Sequence, residues 1–125
     1  MIVLKRETDT ESIISICKDE NVEYGENIGA FVARDKDEIL GYSLFSVGKS
    51  LAIINVKTPP ILWKSIGDGL FRATLNFAIE NGILSARIEQ PLLEKLTGDI
   101  IPKEKATTVI ADCEKFLEEI KRCGR

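Results

Sequence analysis

Residues 51–82 read LAIINVKTPPILWKSIGDGLFRATLNFAIENG, and the succession of patterns within them decides the architecture. Leu51 to Val56 are almost continuously apolar, as in a central strand covered on both faces. Pro59 and Pro60 end that strand, because proline has no N–H to give to a sheet. Downstream, Leu70, Phe71, Thr74, Leu75, Phe77, Ala78 and Ile79 surround most of a helix, which predicts deep burial. Asn81-Gly82 stops it, since glycine enters the left-handed region without penalty. Between strand and helix lies W-K-S-I-G-D-G, residues 63–69, with two glycines at a helix mouth.

Such glycines have two physical uses. They let a backbone approach a phosphate closely, where the free N–H groups and dipole of a helix start favour an anion. Equally, they permit close helix–sheet packing, with Ser65 as the N-cap. In the first use the amides of Ser65, Ile66, Gly67, Asp68, Gly69 and Leu70 would surround a diphosphate, with Lys64 adding a point charge. Asp68 opposes that use by placing a carboxylate in the loop, which Lys64 offsets only in part.

Working outward, Met1 to Leu4 form an apolar run expected as a first strand. Thr8 with Glu11 is a capping-box pattern, followed by Ile13, Ile14 and Cys17 at helical spacing, which predicts a helix from about Asp9 to Glu20. Residues 21–27 are polar loop. G-A-F-V-A-R-D and I-L-G-Y-S-L-F-S-V flank K-D-E as a hairpin, and Gly48-Lys49-Ser50 is a second turn. After the buried helix, I-L-S-A-R-I-E reads as a strand and P-L-L-E-K-L-T-G as a short helix with Pro91 in its first turn. Residues 99–101 look extended. A final helix is expected from Ile110, Cys113, Phe116 or Leu117, Ile120 and Cys123, with charges on the opposite face. The fold class is therefore α+β: a mixed, mainly antiparallel sheet with helices on both faces. Residues 1–125 are expected as one domain, with a core over 1–98 and a tail over 99–125 made of the extended segment and the amphipathic helix. The stripe of that helix can complete the fold, cover the sheet or pair with a second copy as a homodimer; packing within the chain is favoured.

Composition excludes several functions. The 125 residues carry a formal charge of −3 with both signs interspersed, unlike the clustered basic surface that binds nucleic acid. The basic K-R-C-G-R ending is expected to complement a helix dipole. No apolar run reaches membrane-spanning length, and no signal segment is evident, so a cytoplasmic protein with no membrane partner is expected. There is no histidine, which removes Ser-His-Asp and Cys-His nucleophiles and histidine-ligated zinc. No metal is expected. Cys17, Cys113 and Cys123 have no metal-like spacing and read as reduced and inert, while sequence alone leaves a single disulfide open.

The strand ending in Val56, the prolines, and then Lys64-Ser-Ile-Gly67-Asp-Gly69 at a helix start resemble the acyl-CoA motif of the GNAT superfamily of N-acyltransferases. A-R-D-K-D-E-I-L-G-Y-S-L-F, with its Gly41-Tyr42 pair, is similar to that family's second and third strands. E-N-G-I-L-S-A-R-I is similar to the end of its CoA helix and the next strand. The resemblance spans about residues 28–98. It implies a protein that uses acetyl-CoA as co-substrate and a small amine as acceptor. Asn55, Val56 and Lys57 would line the pantetheine arm, and residues 64–70 would hold the diphosphate. It equally allows a catalytically silent module acting by CoA sensing, protein contacts or dimerisation. Two family features are replaced: Leu93 stands where a Tyr acid is usual, and the strand L-A-I-I-N-V lacks a Glu base. The substitute catalytic candidates are Tyr24, Glu26, Tyr42 and Glu89, with Glu94 nearby; each also has a plain surface or strand role. Trp63 is expected either to stack on the adenine or to plug the sheet edge.

Overall fold

A computed structural model describes residues 1–123, with side chains through Lys121; the side chains of Arg122 and Cys123 and residues 124–125 lie outside the described residues, and with them the expected role of the K-R-C-G-R ending. Six strands, β1 (Ile2–Arg6), β2 (Ile28–Asp35), β3 (Glu38–Val47), β4 (Leu51–Lys57), β5 (Ala86–Ile88) and β6 (Val109–Ile110), form one sheet in sequence order. All pairings are antiparallel except β4 with β5, which the intervening helix crossover makes parallel. The helices are α1 (Thr10–Asp19), α2 (Asp68–Glu80), α3 (Gln90–Leu96) and α4 (Cys113–Cys123). The mixed, mostly antiparallel α+β architecture expected from the sequence is the one observed.

Two apolar cores lie on the sheet. The smaller one packs Ile13, Ile16 and Cys17 of α1 against Ala30, Val32, Tyr42 and Leu44. The larger one joins α2, α3 and α4 to Phe45, Leu51, Ile53, Val56, Ala86 and Ile88. Within it, Phe45 and Phe77 lie 5.0 Å apart between ring centroids, and Arg6 sits 4.5 Å above the Phe77 ring. One buried polar contact pins α2 to the sheet: the Ser43 and Thr74 hydroxyls are 2.7 Å apart.

Several local expectations are corrected. Thr8 is not the cap of α1; Asp9 is, its carboxylate accepting from the Ser12 N–H. The preceding Glu7 carboxylate takes the Thr8 and Asp9 N–H groups, which removes the need for a Thr8 hydroxyl there. Ser65 is not the cap of α2, because the chain is already wound upstream: a 3-10 turn over Pro60–Leu62 and a π-helical turn over Trp63–Gly67 run directly into α2. Residues 99–101 contribute a single bridge, Thr97 to Ile101, and the sixth strand forms instead at Val109–Ile110. Ile110 therefore belongs to that strand, and α4 begins three residues later. Helical spacing misled at this point because a two-residue strand leaves no period of its own. The α4 stripe, Cys113, Phe116, Leu117 and Ile120, is buried in the larger core of the same chain.

Candidate functional site

The site grows from an irregularity in β4. Its register against β3 pairs Leu44 with Asn55 but Phe45 with Ile53, so Ile54 is an extra residue, a β-bulge. A bulge bends its strand and resets which side chains face which side. Leu51 and Ile53 face the larger core, Ile54 turns to the α1 side, and Val56 rather than Asn55 resumes the first face. Pairing with β5 stops at the same place: the last partners are Ile53 and Ile88. Among the described residues, 54–57 thus have no strand partner on the β5 side, and β4 presents a free edge there.

The free edge carries a polar network. Asn55 Nδ2 donates to Glu20 Oε2, just past the end of α1, over 2.8 Å. The buried Tyr42 hydroxyl donates to the same oxygen. From α3, Lys95 reaches back to give one hydrogen bond to Asn55 Oδ1 at 3.1 Å and another to the Val56 carbonyl at 2.9 Å. Its ammonium also lies 5.3 Å from the centre of the Trp63 ring, within cation–π range. Burial holds the Lys95 ammonium below the usual lysine range; Glu20 pulls it back up, and Lys57 pushes it further down. Burial, then the hydrogen bond and charge of Glu20, with a smaller push from Asp19, raise the Tyr42 phenol far above its ordinary value, so Tyr42 stays protonated.

The wound segment after β4 closes the site on one side. The Leu62 N–H bonds to the Pro59 carbonyl, that of Trp63 to Pro60, and that of Asp68 to Ser65. Gly67 has ordinary helical dihedrals, φ −60° and ψ −43°, so its backbone does not require glycine. Its requirement is space: a Cβ there would lie 2.7 Å from Trp63 Cε3. At Gly69 a Cβ would lie 2.7 Å from Leu4 Cδ2. Asp68 turns away along the helix, accepting from Arg72 Nε at 2.9 and 3.0 Å. Lys64 is exposed, with its ammonium 4.0 Å from Asp99. Ser65 is exposed and donates weakly to the Leu62 carbonyl at 3.4 Å. Ile66 packs on the larger core, and Leu70 is fully buried in it.

Two grooves meet where β4 ends. One, of about 640 Å³, lies between α1 and the hairpin and is lined by Ser12, Ser15, Asp19, Ile39, Tyr42 and Lys57, among others. The other, of about 530 Å³, lies between the wound segment and α3 and is lined by Trp63, Glu94, Lys95, Thr97 and Asp99. Thr58 and Pro60 line both. Of the candidates drawn from sequence, Asn55, Val56, Tyr42 and Lys57 come together at this junction. Tyr24 and Glu26 are exposed on the loop before β2 and line neither groove. Glu89 is exposed at the start of α3, making no side-chain cap bond. Leu93 is buried in the larger core. Among the described residues, no group of three or more His, Cys, Asp or Glu side chains could hold a metal ion. Likewise, no helix is long and apolar enough to cross a membrane. Cys17 and Cys113 are buried and unpaired, and burial raises both thiols, that of Cys113 to about 11.

Glu20 and Lys95 were missed in the sequence. One signal pointed toward them: Asn55 is the lone polar residue in L-A-I-I-N-V, and a polar side chain in a covered strand needs partners.

No protein-family model matches the chain, and no curated protein sequence does. Solved structures do. An IAA acetyltransferase from Bacillus cereus superposes with a TM-score of 0.55 at 18% identity, over 70% of this chain and 65% of that one. The ribosomal-protein-S18-alanine N-acetyltransferase of Escherichia coli gives 0.56 at 12% identity, over 70% and 66%. A Bacillus subtilis acetyltransferase solved in complex with CoA gives 0.51 at 17% identity, over 70% and 64%. The match thus spans just under two thirds of the length of these three proteins. Sheet order, the parallel β4–β5 pair and these superpositions agree: the chain has the fold of the GNAT acetyltransferases, in a divergent form.

Proposed function

We infer that the chain binds an acyl-CoA thioester along the free edge of β4 and transfers its acyl group to a small amine. The observation that carries this is the end of β4–β5 pairing at Ile53, which among the described residues leaves 54–57 without a strand partner on that side. They lie next to the junction of the two grooves at Thr58, with the Val56 carbonyl held by the Lys95 ammonium. A pantetheine arm is an extended chain of amides, and an unpaired strand edge offers it the same hydrogen bonds that another strand would take. The residues fit such a ligand at both ends. Near Val56 the edge is polar and partly desolvated; toward the solvent, Lys64 supplies a positive charge for a diphosphate, and Asp68 is neutralised by Arg72. The second groove, holding Tyr42 and Asp19, adjoins the first and suits the amine. The B. subtilis neighbour with CoA bound supports the same ligand class.

The test is thermal. A ligand at a hundred times its dissociation constant adds about 2.7 kcal/mol to stability, so ~1 mM acetyl-CoA raises Tm by several degrees if the site binds it near ~10 µM. No shift at millimolar acetyl-CoA overturns the assignment. A shift without turnover across a panel of amines favours the alternative, a CoA-sensing module. Leu93 favours that alternative too, since a buried leucine has no proton to give.

A further inference from the structure

Acyl transfer from a thioester to an amine moves a proton from nitrogen to sulfur. The chain needs a donor beside the departing thiolate, and neither Leu93 nor the exposed Glu89 can provide one at the β4 edge. Resting on the acyl-CoA assignment above, we propose that Lys95 is a catalytic residue that hands its proton to the leaving sulfur. Asn55 and Glu20 act as positioning residues.

The geometry is specific. Lys95 lies in the last turn of α3, and although the residue is exposed its ammonium folds back rather than extending straight out. It is drawn back to the strand by the Val56 carbonyl at 2.9 Å and Asn55 Oδ1 at 3.1 Å, over the face of Trp63. A thioester carbonyl held against the strand near Val56 puts its sulfur within reach of that ammonium. Asn55 can present its oxygen to Lys95 only if its NH₂ points the other way, and the Glu20 carboxylate holds it there at 2.8 Å. Tyr42, donating to the same Glu20 oxygen, fixes the carboxylate in turn. The chain of contacts therefore runs from the α1 groove to the α3 groove through β4. Partial desolvation and the charge of Lys57 make the ammonium a better acid than a free lysine, while Glu20 opposes this.

The step balances as follows. The amine enters neutral, and its nitrogen attacks the thioester carbonyl carbon. The C–N bond forms, and the C–S bond breaks with its electron pair left on sulfur. Lys95 gives a proton to that sulfur, and the proton that the new amide nitrogen must lose restores the Lys95 ammonium.

Two variants test it. Lys95→Met removes charge and proton; Lys95→Arg keeps the charge and the donors but holds its proton too tightly to release it. Acetyl-CoA is expected still to raise the Tm of both variants, while thiol release with an amine at saturating acetyl-CoA falls about 100-fold or more in both, the scale of a general acid. Turnover within about threefold of wild type in either variant overturns the role of Lys95. Loss in Lys95→Met alone would mark Lys95 as a fixed charge rather than a proton donor, and equally overturns it. An absent Tm shift in the wild type removes the acyl-CoA assignment and this role together. A wild-type shift with no turnover on any amine removes this role and leaves the binding assignment standing.

Discussion

Gly67 and Gly69 look equivalent in sequence, and the structure separates them. Gly67 lies against the rigid Trp63 indole, three of whose ring atoms a Cβ would meet at 2.7–3.2 Å, whereas Gly69 meets only the tip of the flexible Leu4 side chain. Neither has a positive φ. Gly67→Ala is therefore expected to cost about 1–3 kcal/mol by overpacking. Gly69→Ala gains helix propensity against a contact that can rotate away, and should stay within about 1 kcal/mol of wild type. Urea midpoints for the two variants check this; equal losses would mean that the Trp63 contact is not what demands glycine. The sequence made the glycines visible but not their neighbours, because Trp63 reaches Gly67 only through the π-helical winding of the intervening turn. Asp68 was legible as a charge in the wrong place, and its pairing with Arg72 is an ordinary four-residue spacing that could have been read.

At the scale of elements, the long periodic segments were legible and the short ones were not. Helix α2 and the β2–β3 hairpin follow their patterns, because each buries a full face and the period is sampled several times. The Ile54 bulge, the three-residue β5 and the two-residue β6 leave almost no periodic trace, and the candidate site depends on the first two of them. Glu20 and Lys95 could not be joined from sequence, since Asn55 connects an α1 end to α3 across 35 and 40 positions. For α4 the stripe was clear and its partner was not; the partner is α2 and the sheet of the same chain. Ile120, fully buried there, is the sharpest probe. Ile120→Ala is expected to cost about 2–5 kcal/mol, while Glu118→Ala on the exposed face should stay within about 0.5 kcal/mol. If Ile120→Ala instead leaves the urea midpoint in place and alters the solution mass, the stripe serves assembly rather than the core.

For the whole molecule, alkaline pH is the revealing variable. Tyr42, Cys17 and Cys113 are all raised in the folded state, so each holds its proton longer when folded than when unfolded. Their contribution is intact below the unfolded values, about 9 for the thiols and 10 for the phenol, and is lost as pH climbs toward the folded ones. Lys95, lowered in the folded state, works in the opposite sense over the same range. The expected outcome is a Tm that holds to about pH 8 and then declines, with Tyr42→Phe softening the decline above pH ~10. An unchanged slope in Tyr42→Phe would show that the phenol contributes nothing to the alkaline limb.

The free edge of β4 has one more consequence. Exposed strand edges are templates on which other chains lengthen a sheet, and proteins blunt them with charge, often a lysine. Lys95 does so here from outside the strand, by capping the Val56 carbonyl with an ammonium. With its Val56 carbonyl engaged, the edge offers a stray strand one group fewer to pair with, so the side chain proposed for the chemistry also bears on how open the sheet edge is.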